Sequence, residues 1–230
     1  MNAKSRSPLS VEKLVEEQFR KWRIMDKESK KEPLPPVITV SREPGSEGRM
    51  VASQLVKQLN LDMFGSKIID EVAKSANMSE RVIRTLDEKG RSILDELVQA
   101  LERERHLWDY EYLSHLIKVI ATIGKHGRAV ILGRGANFIL QPDKTLKVRV
   151  VAPLEMRVKN ISREFGVSEE EARRCVINAE SDRMAFVRKY FHVDCSDPMH
   201  YDLVINTANV SIDTAVKIVK TALKLKMSAQ

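Results

Sequence analysis

The chain has 230 residues, 43% of them apolar and 31% charged, enough for one sizeable core or for one domain carrying an insertion. It has no run of about 18 apolar residues, so no membrane span is expected. The net charge of +7 is diffuse: residues 1–34 hold nine Lys or Arg against six Asp or Glu, and the rest hold thirty against twenty-six. A nucleic-acid binder concentrates its basic charge on one face or tract, so this balance suits a solvated surface and a small polyanionic ligand instead. Residues 1–10 lack the apolar segment of a secretory signal, and Cys175 and Cys195 follow no metal-ligand spacing. The expected setting is the cytoplasm or another reducing compartment.

In chain order, residues 10–28 form the first element, an amphipathic helix. Ser10 is placed to cap it, and Val11, Leu14, Val15, Phe19, Trp22 and Met25 lie on or near one stripe. The linker "KESKKEPLPP" follows. The helix is expected to be an appendage that docks on the domain, on a partner or on a second copy. A chain beginning at Pro35 is expected to fold and to bind nucleotide.

The run 37–40, "VITV", reads as a buried parallel strand, and 48–59 as a helix with Val51, Leu55, Val56 and Leu59 inward. A short extended piece falls near 62–64. From 67 to 124 the pattern is helical, with breaks expected at Gly90 and near Trp108. That is longer than a simple crossover needs, so it reads as an insertion. Strands follow at 129–132, 146–151 and 202–206. Between and after them come a helix with Pro153 in its first turn, a long helix from the capping box "SEEE" to about Tyr190, and a last helix capped by Ser211 and ending near Leu225. Strands alternating with helices predict an α/β fold with a parallel sheet covered on both faces.

Two loops carry the chemistry. "SREPGSEGRM" joins the first strand to a helix, where backbone N–H groups face whatever anion sits above the helix start, and Gly45 and Gly48 let the chain wrap closely. A phosphate loop ordinarily continues Gly-Lys-Ser or Gly-Lys-Thr, the lysine on the terminal phosphates and the hydroxyl on magnesium. Here Arg49 can replace the lysine's charge, while Met50 offers magnesium nothing. The same two glycines also suit a tight turn between strand and helix. The second loop, Gly133-Arg134-Gly135, follows a buried strand directly and so lies at the sheet edge where ligands bind in open parallel sheets. The competing reading for Arg134 is a surface turn. His192 and His200 flank "VDCSDPM" without metal-ligand spacing, so that stretch reads as a structured loop. Cys195 has no neighbouring base to make it a nucleophile.

"ITVSREPGSEGR", "VILGRGANFIL", "DRMAFVRKYF" and "YDLVINT" resemble the cytidylate kinase-like family, over about residues 37–225. The resemblance implies a P-loop kinase three-layer fold with a five-stranded parallel sheet. It divides the chain into residues 1–34 and a domain at 35–230, with a helical insertion at about 66–126 and a lid at about 163–195. It implies that Gly45, Ser46, Glu47, Gly48 and Arg49 cradle the donor phosphates, with Arg157 beside them. By the same resemblance Arg134 holds the acceptor phosphate, and Arg183 and Arg188 are lid arginines touching the acceptor. Arg49, Arg183 and Arg188 are then the residues expected to stabilise the transferring phosphoryl group, and ATP and Mg2+ are the implied cofactors. Gly135 stands where relatives carry an aspartate that helps read cytosine or ribose. The function expected is ATP-dependent phosphoryl transfer to a nucleoside monophosphate, with CMP or dCMP first. The rival is a non-catalytic nucleotide-binding regulator, favoured by Met50 and Gly135. A nucleic-acid binder, resting on the basic pI alone, is a distant third.

Overall fold

The computed structural model describes residues 11–28, 36–86, 88–102 and 110–228. Ser10, most of the linker including Pro35, and Trp108 lie outside them, as do the side chains of Val11, Leu14 and Met25. In order, the elements are α1 (Val11–Glu28), β1 (Val37–Arg42), α2 (Gly48–Leu59), β2 (Asp62–Gly65), α3 (Ser66–Lys74), α4 (Ala76–Ile83), α5 (Glu88–Glu102), α6 (Tyr110–His126), β3 (Ala129–Leu132), α7 (Ala136–Ile139), β4 (Thr145–Val151), α8 (Leu154–Phe165), α9 (Glu169–Phe191), a 3-10 turn (Pro198–His200), β5 (Leu203–Asn206) and α10 (Ile212–Ser228). They group into two compact units, residues 35–66 with 127–230, and residues 1–34 with 67–126.

The first unit holds an all-parallel sheet in the order β2-β3-β1-β4-β5. Side chains alternate across a strand, so Ile38, Val40, Val130, Leu132, Leu146, Val148 and Val150 share one face. They pack there with Val51, Ala52 and Leu55 of α2 and with Ala215, Val216, Val219 and Leu223 of α10. Each fully buried side chain of this kind contributes about 1.5–3 kcal/mol. Parallel pairing also aligns the strand ends. Val40 pairs with Leu132, Arg42 with Val150, Gly65 with Leu132 and Val151 with Asn206. The loops after all five strands therefore open at one edge of the sheet.

Beyond β4, α8 and α9 form a hairpin sealed by Val158, Ala172 and Val176. The Ser168 side chain accepts from the Glu171 N–H and caps α9, and Ser211 does the same for α10 through the Thr214 N–H. Pro153, expected in the first turn of α8, stands one residue before it at the N-cap position and makes no side-chain cap.

In the second unit the helical pattern is realised with different breaks. Gly90 does not interrupt a helix but lies buried within α5. The chain turns instead at Ser75, whose hydroxyl caps α4, and at residues 84–86. Tertiary burial of Leu94 and Val98 outweighs the roughly 1 kcal/mol that glycine costs a helix. The unit is tied by Tyr112 Oη donating to Asp70 (2.7 Å), His115 Nδ1 donating to the Ala73 carbonyl (3.1 Å) and a Thr85–His126 hydrogen bond (2.8 Å).

By its contacts α1 belongs to this unit, so the boundary expected at residue 34 does not set it apart. Val15, Phe19 and Trp22 are buried, Trp22 stacks on His126 (4.1 Å, 10°), and Arg81 pairs with Glu16 while lying over Phe19. The described part of the apolar stripe is thus covered by the chain itself. Trp22→Ala should cost about 3–5 kcal/mol, the range for emptying a large aromatic site. Denaturant unfolding of the full chain would show it, and a loss below about 1 kcal/mol would return α1 to the status of an appendage.

Candidate active site

The loop after β1 is pinned from beneath. Glu43 accepts the Ala152 N–H (3.0 Å) and pairs with Arg157 (3.5 Å) and Arg149 (3.6 Å). Arg157 Nε donates to the Ala152 carbonyl (2.9 Å) and its Nη1 to Glu180 of α9 (3.2 Å). Asn160 Nδ2 donates to the Gly45 carbonyl (2.9 Å). Gly45 has φ +79°, and a Cβ there would strike the Arg157 carbonyl, so any side chain would lift the loop off α8. Glu47 is left-handed (φ 60°), makes no side-chain cap, and leads into a helix with no acidic residue in its first turn. The unsatisfied N–H groups and positive dipole end of α2 are therefore available to an anion.

The loop after β3 is also under backbone tension. Gly133, Arg134 and Gly135 all have positive φ, at 84°, 54° and 66°. A non-glycine residue there costs about 1–3 kcal/mol and persists only where the surroundings enforce it. A Cβ on Gly133 would fall onto Arg42 Nη1, and one on Gly135 onto the Phe191 ring. The two glycines admit those side chains, and Arg134 turns back over the face of Phe186 (4.9 Å).

Two cavities open at this edge. One, of about 900 Å³, runs from Gly45, Glu47, Gly48, Arg49 and Met50 to the α8–α9 hairpin. The other, of about 350 Å³, is lined by Ser41, Gly133, Arg134, Gly135, Arg149, Phe186 and Ser196. Arg42 and Arg183 line both. Arg183 Nη1 donates to the Arg42 carbonyl (2.9 Å), which fixes α9 to the loop. The Arg42 guanidinium is brought down to about 9, by burial first and then by Arg183, Arg134 and Arg49. Arg183 is lowered too, by burial and then by Arg134, with Glu180 opposing. Such depression marks a cluster of positive charge set to receive anions.

The expected residues divide accordingly. Gly45, Glu47, Gly48 and Arg49 line the larger cavity, Arg134 the smaller and Arg183 both. Three of the expected residues line neither cavity. Arg157 is 6% exposed and engaged by Glu43 and Glu180, so in this structure it props the loop. Ser46 is fully buried, its hydroxyl donating to the carbonyls of Glu43 (2.9 Å) and Val150 (3.1 Å), so its side chain braces the loop and only its backbone is left for a cradle. Arg188 is exposed on α9, which stays helical to Phe191, and its charge acts on Asp194.

Beyond the expected residues, the structure brings Arg42, Glu43 and Arg149 to the site. Arg149 is 7% exposed in the central part of β4, with Nη1 on Ser41 (3.2 Å) and its guanidinium over Tyr201 (5.6 Å). A lone arginine within an apolar buried strand was the available signal. In the "VDCSDPM" stretch, Asp194 accepts from both the backbone and hydroxyl of Ser196 and Asp197 caps the 3-10 turn, so both carboxylates hold the loop. Burial raises the Cys195 thiol, which disfavours a thiolate there.

The parallel sheet in this strand order, a glycine-containing loop opening onto a helix start, and arginines converging from β1, β3 and α9 define a nucleotide-binding P-loop kinase. Residues 37–209 match the cytidylate kinase-like family, and the chain belongs to it. It is 27% identical over 197 residues to a cytidylate kinase of Methanopyrus kandleri, covering 81% of this chain and 92% of that one. It is 28% identical over 188 residues to a cytidylate kinase of Ignicoccus hospitalis, covering 81% and 98%. In fold it resembles the crystal structure of an uncharacterized protein from Eubacterium ventriosum, with TM-score 0.65, 23% identity and coverage of 82% of this chain and 98% of that one. No helix among the described residues is long and apolar enough to cross a membrane.

Arg49 is exposed at the start of α2. Arg49→Ala should weaken ATP binding by about 1.5–3 kcal/mol, the range for a charge-assisted hydrogen bond. Calorimetry would check this, and unchanged affinity would remove Arg49 from the donor site.

Proposed function

We propose that this protein is a nucleoside monophosphate kinase that moves the γ-phosphoryl group of ATP to CMP or dCMP. The observation that supports it is the wall shared by the two cavities, where Arg42 and Arg183 face both. Transfer between two phosphorylated ligands needs them side by side, with positive groups at their junction.

In this reading the loop amides, Arg49 and the α2 N-terminus hold the donor phosphates in the larger cavity, and Arg134 holds the acceptor phosphate in the smaller. The guanidinium fork matches a phosphate through paired hydrogen bonds. An oxygen of the acceptor phosphate attacks the γ-phosphorus, the bond to the bridging oxygen breaks, and ADP leaves. No general base is required, because the attacking oxygen is already anionic. Arg42 and Arg183 offset the charge that builds on the transferring group.

The family supports ATP, with Mg2+ accompanying it as part of the substrate. CMP is placed first on the strength of the relatives named cytidylate kinases. A coupled assay of ADP formation with CMP, dCMP, UMP, AMP, GMP and dTMP tests the proposal. CMP or dCMP should give the highest kcat/KM. Preference for another monophosphate would replace the acceptor and keep the reaction. ATP binding without turnover on any of them would establish a regulatory nucleotide binder instead.

A further inference from the structure

In P-loop kinases the protein meets the donor's divalent cation chiefly through a hydroxyl one residue beyond the loop cation. Here that residue is Met50, which is 52% exposed, and a thioether is a poor ligand for a hard cation. The loop's own hydroxyl, Ser46, is turned inward onto two carbonyls. The loop carboxylate Glu43 is committed to Arg149, Arg157 and the Ala152 N–H. Glu47 and Glu164 line the larger cavity and Glu180 and Asp182 the smaller, Glu180 being engaged by Arg157, yet among the described residues no three metal-ligating side chains converge into a group that could hold a metal ion. The residues present therefore do not form a seat for magnesium.

They form a cationic one. Arg42 lies within mutual electrostatic range of Arg49, Arg134 and Arg183, and Arg42 and Arg183 are both partly withdrawn from solvent. Magnesium halves the charge of a triphosphate. It would also bring a dication against guanidinium groups that already repel one another. The metal-free tetra-anion in the larger cavity meets Arg42, Arg49 and Arg183 with its full charge.

On the reading that the larger cavity is the donor site, we propose that its arginines take over the charge-neutralising role of the metal. The protein then binds the nucleoside triphosphate in its metal-free form at least as well as in its magnesium complex. The guanidinium of Arg49, standing next to the vacant hydroxyl position, is the closest substitute.

The test is calorimetric titration of the full chain with ATP, without acceptor, in excess EDTA and in excess Mg2+ at matched ionic strength. The Kd in EDTA should be tighter than, or within about threefold of, the Kd in Mg2+. A Kd in EDTA weaker by more than that overturns the inference while leaving the donor site in place. Absence of binding in both buffers overturns the donor reading and this inference with it. Arg49→Ala, exposed and remote from the core, should lose more affinity in EDTA than in Mg2+. An equal loss in both would make Arg49 an ordinary phosphate contact and overturn its role as the metal's substitute.

Discussion

Arg183→Ala should lower kcat by about 10²–10³, the cost of removing one preorganised donor aimed at developing charge. Arg183 lines both cavities, and its guanidinium is anchored to the carbonyl of Arg42, itself part of the charge cluster. The loss should fall on kcat and on kcat/KM for both substrates, because a group at the junction serves the transition state more than either ground state. Arg183→Lys should recover a minor part, since an ammonium keeps the charge and loses the planar fork. Steady-state kinetics with the preferred monophosphate would measure this. A change confined to one substrate's KM would move Arg183 out of the junction and into a single binding site. The neighbouring Arg188, exposed and outside both cavities, should tolerate alanine with little change, which provides an internal control on α9.

Arg157→Ala should be a stability variant. It removes a buried cation, leaving Glu43 with Arg149 and the Ala152 N–H and leaving Glu180 to solvent. Breaking a fully buried ion pair from one side costs about 3–5 kcal/mol, and the partners and exposure that remain here bring the expected loss to about 2–3 kcal/mol. The loop would loosen with it, since Glu43 and the Ala152 carbonyl both depend on this side chain. Denaturant unfolding with and without ATP separates the two possible roles. The expected result is a lower midpoint in both conditions, with a near-normal increment on adding ATP. Normal stability with abolished ATP stabilisation would put Arg157 back among the phosphate ligands. Arg157→Met, which keeps volume but not charge, should be as destabilising as alanine if the carboxylates are the cause, and milder if packing is.

The strands were legible because β-branched runs bounded by glycine and proline admit few other conformations, and all five begin or end within a residue or two of expectation. Capping chemistry was legible for the same local reason at Ser168 and Ser211. Gly90 was misread as a break because a local propensity of roughly 1 kcal/mol was outweighed by burial of the helix around it. The two Gly-Arg loops could be found because a glycine on either side of a charged residue at a strand end has a local cause, the positive φ seen at Gly45, Gly133 and Gly135.

By itself the sequence determined the alternation of strands and helices, the placement of both loops at one sheet edge, and the family. It could not assign the arginines. Arg49, Arg134, Arg157, Arg183 and Arg188 look alike along the chain, and what separates them is which carboxylates they meet. Glu43 and Glu180 are 114 and 23 residues from Arg157, yet together they neutralise it and remove it from the site. Arg42, Arg134 and Arg183 come together from three distant segments, and burial followed by neighbouring guanidinium charge lowers Arg42 and Arg183. Electrostatic role depends on distance and burial, which the tertiary structure fixes, and residue type alone leaves it open.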